Sequence, residues 1–150
     1  MGNKLKRTKY FLLAALLLTS ALGLAQQTAA RQLVERQASA WEKHDFSLAA
    51  SDWLPTAVLM SPEGNTPAGQ MPASMKDYFK DFSDLHVTIK NVFVSPDGKK
   101  LAIEWDWAIT RKKDGKRGVS HDAIIVDLMG GKIASWREYY DPAASGEANP

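Results

Sequence analysis

The sequence has no cysteine. Disulfides, thiolate nucleophiles and thiolate metal centres are thereby excluded, and the domain must hold together through its hydrophobic core. Histidine is scarce. The three, His44, His86 and His121, show no metal-ligand spacing, so no metal is expected. There is no Ser-His-Asp order, no phosphate-cradling loop and no redox motif, and no cofactor is expected. Gly130-Gly131 reads as a turn, not as a nucleotide cradle. Internal repeats and low-complexity runs are also missing. A long apolar run occurs in one place only, Tyr10 to Leu24.

That run follows Lys4, Lys6, Arg7 and Lys9 and closes on Gly23-Leu24-Ala25, a small-x-small pattern. A charged segment, an apolar segment and a small-residue cleavage site make a secretory signal peptide. Residues 1–25 are therefore read as a leader, cut after Ala25 or, alternatively, after Ala30. An uncleaved anchor is the other reading, but the run is short for a membrane span. No twin arginine is present and no cysteine is available for lipidation. The expected destination is the periplasm or the outside of the cell, with no stable membrane span after cleavage. Removing the leader takes four of the 19 Lys and Arg and none of the 17 Asp and Glu, leaving 15 − 17 = −2. The basic balance of the whole chain is thus a property of the leader, and nothing in the remainder suggests a nucleic-acid partner.

What remains is long enough for one good core, residues 26–142, with a small polar tail at 143–150 that is expected to fray. Ala29 to His44 reads as a helix through Val34, Ala38 and Trp41 at helical spacing. Asp45 can cap a second helix, Phe46 to Trp53, which Pro55 stops. Thr56 to Met60 is a short apolar strand, and Pro62, Gly64, Asn65, Pro67 and Gly69 form a turn-rich stretch. Pro72 suits the start of a third helix, with Met75, Tyr78, Phe79 and Phe82 on its apolar face. Leu85, Val87 and Ile89 alternate as a strand. The parity then shifts to Val92 and Val94, which implies a bulge.

Lys99 to Asp141 reads as three consecutive antiparallel strands. Asp114-Gly115 suits a type I′ turn with Lys113 facing Lys116. Leu101 then faces Leu128, Ile103 faces Val126, Trp105 faces Ile124 and Trp107 faces Asp122. At the second turn a three-residue loop, Met129 to Gly131, pairs Ile124 with Trp136 and Asp122 with Glu138. A two-residue loop would pair Ile124 with Arg137 and scatter the apolar set. The expected row is Trp107, Asp122 and Glu138: two carboxylates beside an indole on an apolar face.

Helices segregated against a bent, mainly antiparallel sheet give an α+β domain with a cone-shaped pocket. Trp41, Trp53, Met60, Phe79, Trp105, Trp107 and Trp136 are candidates to line it. Facing carboxylates roughly 5 Å apart would repel, and burial would keep a proton on one of them near neutrality. Asp122 and Glu138 are therefore the candidate acid and base. Alternatively, Asp122 sits solvated at the rim and Glu138 pairs with an arginine. His121 falls on the opposite face by strand alternation. Lys112, Lys113, Lys116 and Arg117 read as a solvated hairpin tip.

The opening helix through Trp41, the run Val58-Leu59-Met60-Ser61-Pro62-Glu63-Gly64, the segment Gly69 to Phe82, and Gly131-Lys132-Ile133 leading into Trp136-Arg137-Glu138-Tyr139-Tyr140-Asp141 carry a resemblance. Residues 30–142 resemble the SnoaL-like, nuclear-transport-factor-2-like superfamily. That scaffold hosts isomerases, cyclases, dehydratases, epoxide hydrolases and non-catalytic binding domains, so the resemblance bears on fold more than on activity. In limonene-epoxide-hydrolase-like members an acid of the Trp-Arg-x-Tyr motif works in an Asp-Arg-Asp triad. Glu138 fills that acidic position, but Trp105 and Trp107 stand where the arginine and the other aspartate would fall, so the triad is absent. In steroid-isomerase-like members the catalytic base falls near Ser61, which cannot act as one, and a second acid falls near Ile124, two residues from Asp122. The resemblance implies a pocket for a small, mostly apolar or amphipathic molecule, with Tyr140 added to its ligand-binding residues. Any catalysis would be cofactor-free isomerisation, cyclisation or hydrolysis. The competing expectation is a non-catalytic carrier or dimeric interaction domain. The resemblance also implies a homodimer through the convex sheet face, where Arg137 and Tyr139 are expected.

N-terminal sequencing of the protein recovered from its producing cell is expected to begin at Gln26. Membrane-bound protein that retains Met1 would refute export by cleavage.

Overall fold

Apolar parity along the last four strands decides the architecture. Leu101, Ile103, Trp105, Trp107 and Ile109 are all buried, and their alternating neighbours are partly or fully exposed. A sheet with one apolar face must cover that face, and here helices do so. The computed structural model describes residues 23–145. Residues 1–22 of the expected leader and residues 146–150 of the tail lie outside the described residues.

Helix α1 is described over residues 23–42. Its buried positions, Ala30, Leu33, Val34, Gln37 and Ala38, follow the helical repeat. It ends in a Schellman arrangement with His44 at φ 55°; Asp45 N–H donates to Ala40 O at 2.8 Å and His44 N–H to Trp41 O at 3.1 Å. Asp45 then caps α2, Phe46–Ser51, by accepting from Leu48 N–H at 2.9 Å. Helix α2 stops short of the expected Trp53, which instead opens strand β1, Trp53–Ser61. Pro55 sits inside β1 rather than before it. The ladder to the neighbouring strand lapses between Trp53 and Val58, so no ladder donor is lost there.

Strand β2, Gly64–Pro67, folds back on β1, and a 3₁₀ turn, Ala68–Gln70, leads into α3, Met71–Asp81. Strands β3, Phe82–Val94, β4, Lys100–Arg111, β5, Arg117–Met129, and β6, Lys132–Tyr139, form an antiparallel meander. A helical turn, α4, Pro142–Ser145, follows. The six-stranded sheet runs β2-β1-β6-β5-β4-β3, with β1 parallel to β6. The fold is α+β, with helices over the concave side of a mixed sheet.

Both expected registers are corrected. Arg111 N–H donates to Lys116 O at 2.8 Å and Gly115 N–H to Arg111 O at 2.9 Å, so the first turn is wider than a two-residue hairpin. Arg111 clamps Asp114 inside it at 2.7 Å and holds that carboxyl down at about 2. Leu101 consequently faces Val126, Ile103 faces Ile124, Trp105 faces Asp122 and Trp107 faces Ser120. The slip is two residues, so every side chain keeps its face.

The second turn is the two-residue one, Gly130-Gly131, at φ 60° and 76°, as a type I′ turn requires. A bulge between Asp127 and Leu128 leaves Ala134 unpaired and restores the parity that the short loop would have broken. Ile124 therefore faces Glu138, and Val126 faces Trp136. The expected row of Trp107, Asp122 and Glu138 does not form. The same bulge sets Ser135 opposite Asp127 on the convex face. Asp127 there accepts from Ser135 Oγ at 2.6 Å and Arg137 Nη1 at 2.7 Å and pairs with Lys100 Nζ.

The Lys100 ammonium, with Ser135 and Arg137, holds the Asp127 carboxyl well below the usual range. A carboxyl depressed on folding contributes stability that is complete above its unfolded value, about 4, and fades as the pH falls below it. Asp127→Asn is expected to lower the urea midpoint at pH 7, with the gap to wild type narrowing between about pH 5 and pH 2. A gap independent of pH would show that the carboxylate charge contributes nothing.

Candidate ligand-binding cleft

The curvature of the sheet leaves a cleft of about 310 Å³ between its concave face and the helices. Its floor comes from Trp107 on β4, Ser120 and Asp122 on β5, and Glu138 on β6, with Tyr140 just beyond. Trp41 of α1 and Met71, Ser74 and Tyr78 of α3 form one wall. The β1–β2 hairpin forms the other, through Leu59, Ser61, Glu63, Gly64, Asn65 and Thr66. Ser120 and Asp122 are buried at the bottom, whereas Glu63 and Asn65 are exposed at the mouth.

The five tryptophans form a continuous chain across the concave face. Ring centroids are 5.9 Å apart for Trp53–Trp136, 5.7 Å for Trp136–Trp105, 5.9 Å for Trp105–Trp107 and 5.5 Å for Trp107–Trp41. An indole N–H is a donor only, so a buried one needs an acceptor. Four find one on a side chain. Trp53 donates to Gln37 Oε1 at 3.1 Å, Trp105 to Asp122 Oδ2 at 2.8 Å, Trp107 to the Tyr78 hydroxyl at 3.0 Å, and Trp136 to Glu138 Oε1 at 2.6 Å. The two carboxylates of the cleft are thus each oriented by an indole behind them, through charge-assisted bonds.

Of the residues expected from the sequence, Asp122, Glu138, Trp41, Trp107 and Tyr140 line the cleft. Trp105 and Trp136 do not. They lie beneath the floor and act on it through Asp122 and Glu138. Trp53 does not line it either, because its indole is turned to Gln37 and packs on Trp136. Met60 pairs with Arg137 and alternates with Leu59 and Ser61, so it faces the convex side. Phe79 is buried and stacks on His44 at 3.7 Å, leaving its neighbour Tyr78 to reach the cleft. The expected direct pairing of Asp122 with Glu138 is replaced by separate rows: Trp105 faces Asp122, and Ile124 faces Glu138. His121 is on the convex face, 2.8 Å from Asp106.

Sequence reasoning missed Ser120, which strand parity with Asp122 would have found. It also took Tyr78 for plain core. In the hairpin, Ser61 and Glu63 entered only through the family resemblance, Gly64 through it and through turn composition, and Asn65 and Thr66 carried no signal beyond turn composition.

An α+β sheet that holds an aromatic and acidic cleft under two helices defines a nuclear-transport-factor-2-like pocket domain. The chain belongs to the SnoaL-like domain family, whose family model matches residues 34–136. None of the curated proteins matches it significantly. Among solved structures, it is similar to a protein of ketosteroid isomerase-like fold from Catenulispora acidiphila, solved in complex with trimethylamine. The identity is 20%, the TM-score 0.68, and the match covers 76% of this chain and 92% of that one. It is similar to an LEH-like epoxide hydrolase of M. tuberculosis at 16% identity and TM-score 0.67, over 81% and 89% of the two chains. An NTF2-like protein from Burkholderia thailandensis matches at 15% identity and TM-score 0.67, over 79% and 96%. At these identities the neighbours establish the fold.

Removing the donor behind Asp122 strips a hydrogen bond from a buried carboxylate, which costs about 1.5–3 kcal/mol. Removing the donor to a neutral hydroxyl costs about 0.5–1.5 kcal/mol. Trp105→Phe is therefore expected to destabilise the protein more than Trp107→Phe in urea unfolding. Equal losses would mean that the Trp105–Asp122 bond adds nothing beyond ring packing.

Proposed function

We propose that the protein is an exported small-molecule-binding domain, periplasmic or secreted, whose concave cleft holds a compact amphipathic molecule. The observation that supports this reading is the cleft itself. It joins aromatic walls to a few convergent polar groups on a rigid sheet, the usual composition of a ligand site. Its lining is more polar than the expected mostly apolar pocket, because Ser61, Asn65, Thr66, Ser74 and Ser120 contribute alongside the acids. The Catenulispora neighbour was solved with trimethylamine, a molecule of a size this cleft would admit.

A second reading adds cofactor-free proton transfer at Asp122 and Glu138. Its support is that both carboxylates face one cleft beside Tyr78 and Tyr140. Against it, Trp105 and Trp107 occupy the positions of the epoxide-hydrolase triad, which favours a passive carrier. Association of two copies through the convex face fits either reading.

Native mass spectrometry of the protein as purified is expected to show a bound small molecule. Filling the cleft floor with Ser120→Leu should abolish it. An adduct that survives Ser120→Leu in a folded protein would place the ligand elsewhere.

A further inference from the structure

We propose that Ser120 is a specificity-determining residue of the cleft, and that it selects a compact ring compound carrying an acceptor oxygen, hydroxyl or carbonyl, at its buried end. This rests on the reading of the cleft as a ligand site and names what that site recognises. Ser120 lines the floor and is 1% exposed, and its hydroxyl has no hydrogen-bond partner among the described residues. Buried polar groups in folded proteins are almost always paired. An orphan hydroxyl at the bottom of a cleft therefore points to a partner that arrives from outside.

Packing does not account for the serine. The concave face of β5 continues through Ile124 and Val126, both fully buried. An apolar side chain at position 120 would extend that face and leave no polar group to satisfy. Its cross-strand neighbour on β4 is Trp107, whose indole N–H is turned to Tyr78. On the other side the β5–β6 ladder ends at Ala123 and Tyr139, so no β6 residue pairs with Ser120.

A hydroxyl has one donor and two acceptor sites. Protein interiors tolerate an unfilled acceptor more readily than an unfilled donor. The partner that Ser120 lacks is thus an acceptor, such as a carbonyl or hydroxyl oxygen. The walls fix the rest of the molecule. Trp41 and Trp107 present rings at 73° with centroids 5.5 Å apart, and Leu59 and Met71 add aliphatic surface. Such surfaces take the apolar body of a ligand, and the few polar groups between them orient it.

The test reads Ser120→Ala in two ways. In urea unfolding without ligand, its midpoint is expected to equal or exceed that of wild type, because the hydroxyl had no bond to lose. A clearly lower midpoint would show a hydroxyl already bonded in the free protein and would overturn the proposal. Benzyl alcohol, acetophenone and ethylbenzene are then titrated at pH 7 against both proteins. The indole N–H NMR signals of Trp41 and Trp107 report the cleft, and that of Trp53, outside it, is the control. Ser120→Ala should weaken the two oxygen-bearing probes about fivefold and leave ethylbenzene unchanged or tighter. Ser120→Thr, which keeps the hydroxyl, should keep the wild-type ratio of oxygen-bearing to hydrocarbon probe. A loss confined to one oxygen-bearing probe also supports the proposal and tells hydroxyl from carbonyl. Equal changes for all three probes would overturn it and leave the cleft reading standing. If no probe moves the cleft indoles at millimolar concentration, both are overturned.

Discussion

The cleft depends on a sheet that cannot lie flat. Strand β3 loses register twice against β4, between Ser83 and His86 and between Ile89 and Asn91, and β6 carries one extra residue at Ala134. Each irregularity adds local twist and bend. Helix α1 buries its apolar face against the bent sheet, and α3 packs Met71, Met75 and Phe79 into the same core. Near β5, β6 and the end of β1 the helices no longer fill the concavity, and the β1–β2 hairpin walls off what remains. Curvature and cavity are therefore one feature, set by backbone irregularities rather than by any single side chain.

Within that concavity the acids are held against the tendency of an apolar interior to exclude charge. A carboxylate buried without donors costs several kcal/mol. The indole chain addresses this directly. Trp105 and Trp136 each turn their N–H toward an acid, and their rings supply the dry packing beneath it. This reverses the expected roles. The tryptophans read as ligand-contacting are mostly the support that orients Asp122 and Glu138, and Trp41 and Trp107 are the two that face the open space.

Much of the fold was legible because strand parity is robust. A two-residue slip moves partners but not faces, so the buried set of β4 and β5 was readable even though both pairings were misjudged. The misjudgements have specific causes. Asp114-Gly115 looks like a tight turn, yet the Arg111–Asp114 ion pair and the Arg111–Lys116 backbone bond stabilise a wider one. A two-residue loop at Gly130-Gly131 scatters the apolar set unless a bulge intervenes, and nothing in Ile133-Ala134-Ser135 announces a bulge. The parallel pairing of β1 with β6 joins residues far apart in the chain and has no local signature. The cleft rim at Asn65 and Thr66 is likewise indistinguishable, as sequence, from any solvated hairpin; only the folded sheet turns it inward.

The most direct measurement is a crystal structure of the protein as isolated from its native cell, without added ligands. A small-molecule site built on this floor predicts non-protein density in the cleft, within hydrogen-bond distance of Ser120 Oγ and of a carboxylate oxygen of Asp122 or Glu138. A cleft closed by the β1–β2 hairpin packing down onto Trp107, with bound molecules found only elsewhere on the protein, would contradict it.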